Sequence, residues 1–235
     1  MSSTTASAPV KDQRPPLWRR TPADAADWFD AAEVTRSREY KRPLKRLGLV
    51  SSAVTLVLFV VLITTQAVPN LLDSLGVRNW VLGLLVGVVF INLLGSLLDL
   101  PISAWVSLSY DKKWDLSTTT TKTFVLDQIK GFFVTALLLS AIFIPVYAVI
   151  RATDNWWIYA TLLLMGIAVL MTFVYPVVIM PIFNKFVPLG DDDLKHRIDA
   201  VADKAGVTIK GSFTMDASRR SRRDNAFVAG FGPTK

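Results

Sequence analysis

The fold class predicted from the sequence is an α-helical integral membrane protein, with about four transmembrane helices followed by the start of a small cytoplasmic α/β element. Three observations carry that expectation. Charged residues at Arg46 and Asp73, Arg78 and Asp99, Lys130 and Arg151, and Asp154 and Lys185 bracket four charge-free intervals of 26, 20, 20 and 30 residues. A bilayer span needs about 20 apolar residues. Basic residues crowd and thin alternately on successive loops. After Phe186 the apolar pattern turns first amphipathic-helical and then strand-like.

Composition narrows the function classes. With 51% hydrophobic residues, seven Trp and thirteen Phe, the chain is too apolar for a disordered protein. No cysteine occurs, which removes disulfides, thiol chemistry and half of the usual zinc ligands. The net charge of +7 is gathered beside the apolar runs without interleaved aromatics, so it points to a membrane surface and not to nucleic acid. No cleavable signal peptide is expected, because the first apolar run starts only after 46 mostly polar residues.

In chain order, residues 1–46 form a cytoplasmic N-terminal segment. Met1–Arg20 is rich in Ser, Thr, Ala and Pro and reads as disordered. Thr21-Pro22 reads as an N-cap followed by proline at the first helical position. Ala23–Tyr40 follows as a helix with Trp28, Ala32 and Tyr40 on one side, resting on the membrane or on the rest of the protein, or serving regulation. The basic cluster from Arg36 to Arg46 sets orientation and attracts anionic lipid headgroups. Residues 47–185 hold the spans. The first runs from Leu47 to Val68, ended by Pro69-Asn70; nine of the ten residues Val54–Ile63 are Val, Leu, Ile or Phe. At roughly −0.3 to −0.6 kcal/mol each, these favour insertion by about 3 to 5 kcal/mol.

The second span runs from Trp80 to Leu100 and closes at Asp99-Leu100-Pro101. Asp99 is either an intramembrane functional carboxylate or an interfacial, helix-terminal one. Ile102–Lys130 reads as a basic cytoplasmic loop. The third span, Gly131–Ile150, contains Pro145, and the fourth, Trp156–Phe183, contains Pro176 and Pro181. Prolines at such positions kink a helix and are tolerated in a membrane where neighbours satisfy the freed carbonyl. Basic residues number six in the cluster Arg36–Arg46 just before the first span, one (Arg78) after it, four between spans two and three, and one (Arg151) between three and four. Both termini are therefore expected in the cytoplasm, with the plasma membrane of a bacterium the expected location.

Residues 186–235 begin a cytoplasmic domain. Asp191–Ala205 is an amphipathic helix with Leu194, Ile198, Val201, Ala202 and Ala205 on one face, acidic residues at its start and Gly206 after its end. Val207–Met215 alternates as a strand. Four arginines then fall within Arg219–Arg223, followed by a short strand-like stretch from Asn225 to Gly232. The arginine run would hold a loop to anionic lipid or steer an acidic substrate. On the residues alone, Asn225 opens a strand and Phe227 is core. His196, the one histidine, lies on the polar side of its helix. Neither it nor any nucleophile elbow, P-loop or dinucleotide fingerprint makes a catalytic constellation.

Three stretches together resemble a known family. They are Leu100-Pro101 with Trp114 and the Thr118–Thr121 run; Met180-Pro181-Ile182-Phe183-Asn184-Lys185-Phe186-Val187-Pro188-Leu189; and Ser218–Gly232 with its Asn225-Ala226-Phe227. Over roughly Pro101–Lys235 the chain resembles the type I CAAX prenyl proteases, integral-membrane zinc metallopeptidases that cleave after a prenylated cysteine. Trp114-Asp115 stands where that family usually has Phe-Gly. The resemblance implies a zinc endopeptidase whose H-E-x-x-H helix lies beyond Lys235, so that no catalytic or metal-binding residue is expected within these residues and the chain is expected to be inactive alone. It also implies a peptide or protein substrate, membrane-anchored, lying against Asn225, Ala226 and Phe227 at the edge of the cleft. The rival from another class is a non-catalytic membrane scaffold or transporter-like protein.

Overall fold

The computed structural model describes residues 30–207, 209 and 211–223. Its helices, in chain order, are α1 (Ala31–Thr64), α2 (Ala67–Ser74), α3 (Trp80–Lys113), α4 (Thr121–Ala152), α5 (Trp156–Phe183) and α6 (Asp192–Lys204). Four of them, α1, α3, α4 and α5, are long and apolar enough to cross a membrane. Two short strands, β1 (Phe186–Pro188) and β2 (Phe213–Met215), pair antiparallel with Phe186 opposite Met215.

The chain separates into two compact units at Val50/Ser51, inside α1. The described part of the first unit is helical from Ala31 and includes Pro43. The helix expected over Ala23–Tyr40 and the first span therefore form one element over the described residues. Residues 23–29 lie outside them.

In the second unit, α4 is the central helix and packs against α3 on one side and α5 on the other. Its buried positions include Ala136 and Ser140, four apart. Small residues at that spacing let transmembrane helices approach closely. The Asn92 amide on α3 donates to the Phe132 carbonyl of α4 at 3.1 Å. Most large apolar side chains point outward, among them Ile63, Leu137, Leu162 and Val177, as lipid-facing residues would.

The ends of the spans differ from the expectations. The first ends at Thr64, not Val68: Gln66 takes a left-handed φ of 51° and breaks the helix. Pro69 is then the third residue of α2, where a helix has no intrahelical acceptor for its N–H and proline costs little. Short α2 folds back onto α3. A Cβ at Gly83 would meet Leu72 at 3.4 Å, and one at Gly87 would meet Val68 at 3.3 Å, so glycine at both positions permits this contact.

The second span does not close at Leu100. Asn79 caps its start, accepting from the Val81 and Leu82 amides. The helix then passes through Pro101 to Lys113, with a π-helical turn over Val106–Tyr110. Asp99 is thus within the helix, where it accepts from the Ser51 hydroxyl at 3.3 Å. Stacking of Trp105 on Tyr110, with ring centres 4.9 Å apart, supports the extension. The supposed loop Ile102–Lys130 shrinks to residues 114–120, because α4 starts at Thr121 and not Gly131. Thr120 caps it, its hydroxyl accepting from the Thr123 amide. The fourth span runs from Trp156 to Phe183 as expected, and a second π-helical turn, Tyr175–Ile179, surrounds Pro176. Such turns absorb the kink that proline imposes.

Beyond the membrane helices, Asp191 caps α6 and Gly206 follows it with φ of 65°, as the amphipathic pattern implied. The strand expected over Val207–Met215 is formed over Phe213–Met215; residues 208 and 210 lie outside the described set. Its partner, β1, comes from the segment leaving the fourth span.

Candidate functional site

The segment Asp216–Arg223, which precedes Asn225 in the chain, is bound on two sides. Its first residue ties it to Lys185, just before β1: the Asp216 carboxylate accepts from the Lys185 amide at 2.7 Å, and the Asp216 amide donates to the Lys185 carbonyl. Its second half runs antiparallel to the loop between α3 and α4, with Ser221 bridged to Ser117. The Thr118 amide donates to the Arg220 carbonyl and the Arg222 amide to the Leu116 carbonyl, both at 3.2 Å. The buried Thr119 hydroxyl also donates to Arg220's carbonyl, at 3.1 Å.

Arg220 is the centre of this arrangement. Its Nε and Nη2 donate to the two oxygens of Asp127, on the second turn of α4, at 2.6 and 2.8 Å. Nη1 donates to Asn184 Oδ1 at 3.0 Å, and Nη2 also donates to the Phe183 carbonyl at the end of α5, at 2.6 Å. Bidentate pairs of this kind are the strong, geometrically specific ones. Both side chains are mostly covered, at 21% and 23% exposure. The hydrogen bond to Asp127 raises Arg220 above the ordinary arginine range, outweighing its partial burial.

The neighbouring arginines are held more loosely. Arg222 pairs with Asp115 at 3.0 Å, Arg223 with Asp111 at 3.8 Å and Arg219 with Asp216 at 3.7 Å. Each of the four arginines of the run faces an acidic partner, and Arg220 is committed to an internal one. Behind it lies a cavity of about 370 Å³, bordered by Ser107, Asp111, Ser117, Asp127, Arg220 and Arg223.

Of the residues singled out in the sequence, Asn225, Ala226 and Phe227 lie outside the described residues. Asn184, quoted only as part of a motif, turns out to hold Arg220. Asp127 escaped notice because it fell within the supposed loop. The available signal was that it is the one acid between Asp115 and Asp154, beside an apolar run, where a carboxylate needs a partner.

Zinc is bound by three or four His, Cys, Asp or Glu side chains in tetrahedral geometry. Among the described residues no group of three or more such side chains comes together. His196 stands exposed on α6, and the chain has no other histidine and no cysteine. Among the described residues the donors do not fit a zinc centre.

Comparison with known proteins agrees with the fold. The family model described as CAAX prenyl protease N-terminal, five membrane helices, matches residues 17–185; four spans are present among the described residues. The crystal structure of S. mikatae Ste24p superimposes with a TM-score of 0.75 at 25% identity, covering 94% of this chain and 52% of that one. An uncharacterized metalloprotease of Bacillus subtilis, YhfN, is 26% identical over 94% of this chain and 52% of its own length. CAAX prenyl protease 1 of Saccharomyces cerevisiae is 27% identical over 90% of this chain and 49% of its own. The chain spans about half the length of these relatives. With most of its length matched by the family model, this integral membrane chain belongs to the CAAX prenyl protease N-terminal family.

Proposed function

We propose that the chain is the N-terminal membrane portion of a zinc-dependent endopeptidase that cleaves peptide bonds in membrane-associated protein substrates. The observation that supports this reading is the seating of Asp216–Arg223 on the ends of α4 and α5 and on the α3–α4 loop. A flexible surface loop would not need four hydrogen bonds from one arginine.

Asn225, Ala226 and Phe227 follow directly. In this reading an extended substrate pairs with that strand's edge, so that backbone hydrogen bonds give affinity and side-chain pockets give selectivity. Asn225 bonds the substrate backbone, Ala226 permits close approach and Phe227 supplies an apolar wall. The zinc and its ligands come from residues outside these 235. The basic cluster Arg36–Arg46 lies at the cytoplasmic surface against anionic headgroups, both termini face the cytoplasm, and a lipid-anchored substrate shares the same leaflet.

The test is Asn225→Ala in the full-length natural protein. Peptide cleavage should fall at least tenfold, about 1.4 kcal/mol of transition-state stabilisation, with expression and melting temperature unchanged. Unaltered cleavage, or a protein that fails to accumulate, would remove the strand from the cleft.

A further inference from the structure

We infer that the seam between α3 and α4 is a water-filled cleft that admits small cations of the ammonium class, with Asp99 as the group that selects them. The cleft runs from the cavity behind Arg220 toward the middle of the membrane. This inference goes beyond the peptidase reading and does not depend on it.

Helix α3 carries its polar residues in a stripe. Asn92, Ser96, Asp99, Ser103 and Ser107 follow one another at intervals of four, three, four and four residues, which keeps them on one face of a helix. From Asn92 to Ser103 the stripe extends about 16 Å. Two open spaces lie along it. The first is a groove of about 540 Å³ between α3 and α4, bordered by Asn92, Ser96, Asp99, Gln128 and Thr135 among its polar residues. The second is the cavity behind Arg220, bordered by Ser103 and Ser107. Gln128 of α4 borders both, so the two spaces adjoin at that side chain. The groove reaches the helix backbones: a Cβ at Gly95 of α3 or at Gly131 of α4, both on its walls, would meet nothing within 4 Å.

Polar side chains in a transmembrane helix face the bundle interior or a water-filled cavity. A cavity holds water once it offers roughly 10–15 Å³ and two to four polar partners per molecule, and the groove exceeds that volume many times over. Charge then decides what enters with the water. Among the described residues, the partner of the Asp99 carboxylate is the neutral Ser51 hydroxyl at 3.3 Å, and no Lys or Arg borders the groove. Lys130, beside the lining residues Ile129 and Gly131, is committed elsewhere: its ammonium donates to the Ile182 carbonyl at the end of α5, at 3.1 Å. In the second cavity the carboxylates are matched, Asp127 by Arg220 and Asp111 by Arg223. The charge left over along the seam is that of Asp99. A cleft with one sign of charge between low-dielectric walls concentrates counter-ions by about 10- to 1,000-fold.

The experiment uses the full-length protein in nanodiscs, which expose both faces of the membrane, with any cysteine outside these residues replaced. Single cysteines at Ser96, Ser103, Leu98 and Lys112 are treated with two methanethiosulfonates of similar size, one trimethylammonium-ethyl and one sulfonato-ethyl. Ser96→Cys and Ser103→Cys should react with the cationic reagent. Leu98→Cys, on the same helix but bordering neither space, should not. Relative to the exposed Lys112→Cys, Ser96→Cys should favour the cation by about tenfold or more. Asp99→Asn, which keeps the shape and removes the charge, should bring that preference to within roughly threefold of the reference. Thr135→Lys, which adds the opposite charge to the same groove, should abolish it independently. Modification of Leu98→Cys as fast as Ser96→Cys would overturn the inference. So would a Ser96→Cys that reacts with neither reagent, the outcome if a lipid chain or a later part of the protein fills the groove. A cation preference that survives both Asp99→Asn and Thr135→Lys would remove Asp99 as the selecting group.

Discussion

Around the docked arginine segment, magnitude follows coverage. Asp127→Ala would leave Arg220 a mostly covered cation facing only Asn184 and a carbonyl. Hydrogen bonds to charged groups contribute about 1.5–3 kcal/mol, so this variant should lose on that order of stability. Arg222→Ala breaks a pair whose side chains are 61% and 80% exposed, and exposed pairs contribute about 0–1 kcal/mol. Thermal melting in detergent should separate the two variants clearly. Equal losses would mean that the bidentate geometry confers nothing special. Asp127 was only partly legible in the sequence, since it fell within a supposed loop. Its lone position beside an apolar run hinted at a partner, but the identity of that partner appears only in the structure, with α4 beginning at Thr121. Asn184 was legible as part of a pattern but not as a contact, because its partner lies 36 residues away.

The helices show what local patterns reach and where they stop. The fourth span was readable from end to end because a long apolar run is bounded by Asp154 and Lys185, and tertiary contacts did not move its ends. The second span was misread at Pro101. A proline removes one backbone hydrogen bond and crowds the preceding turn, which marks a stop in water. Here the helix continues into a π-helical turn, with Trp105 stacked on Tyr110. The packing of α2 on α3 supplies a second test at this scale. A side chain at Gly87 would press on Val68, whereas one at Gly166 of α5 meets nothing within 4 Å. Gly87→Leu should therefore destabilise by about 1–3 kcal/mol through overpacking, and Gly166→Leu should not. Melting of both variants in the same detergent decides it, and equal behaviour would remove the close α2–α3 contact.

Orientation and metal content are properties of the whole molecule. The alternating basic loops predict that single cysteines at Ser74 and Asp154 react with an impermeant thiol reagent outside the cell, while those at Lys112 and Lys195 react only after permeabilisation. Labelling of Lys112→Cys in intact cells would overturn the four-span orientation. Residues 1–235 purified alone should bind no stoichiometric zinc, because one histidine and no cysteine leave only carboxylates, which suit harder cations. One zinc per chain after dialysis would show a site that the donor set does not suggest.

The sequence by itself determined the membrane class, the number of spans among the described residues and the family motifs. Those depend on transfer of apolar side chains into lipid and on residues close together in the chain, so local order carries them. The tertiary structure decided where the helices end and which side chains meet. The pairing of β1 with β2 and the grip of Arg220 on Asp127, Asn184 and Phe183 join residues far apart in the chain. Such contacts depend on three-dimensional proximity and on burial, which raises the cost of an unpaired charge, and neither is written in the local pattern.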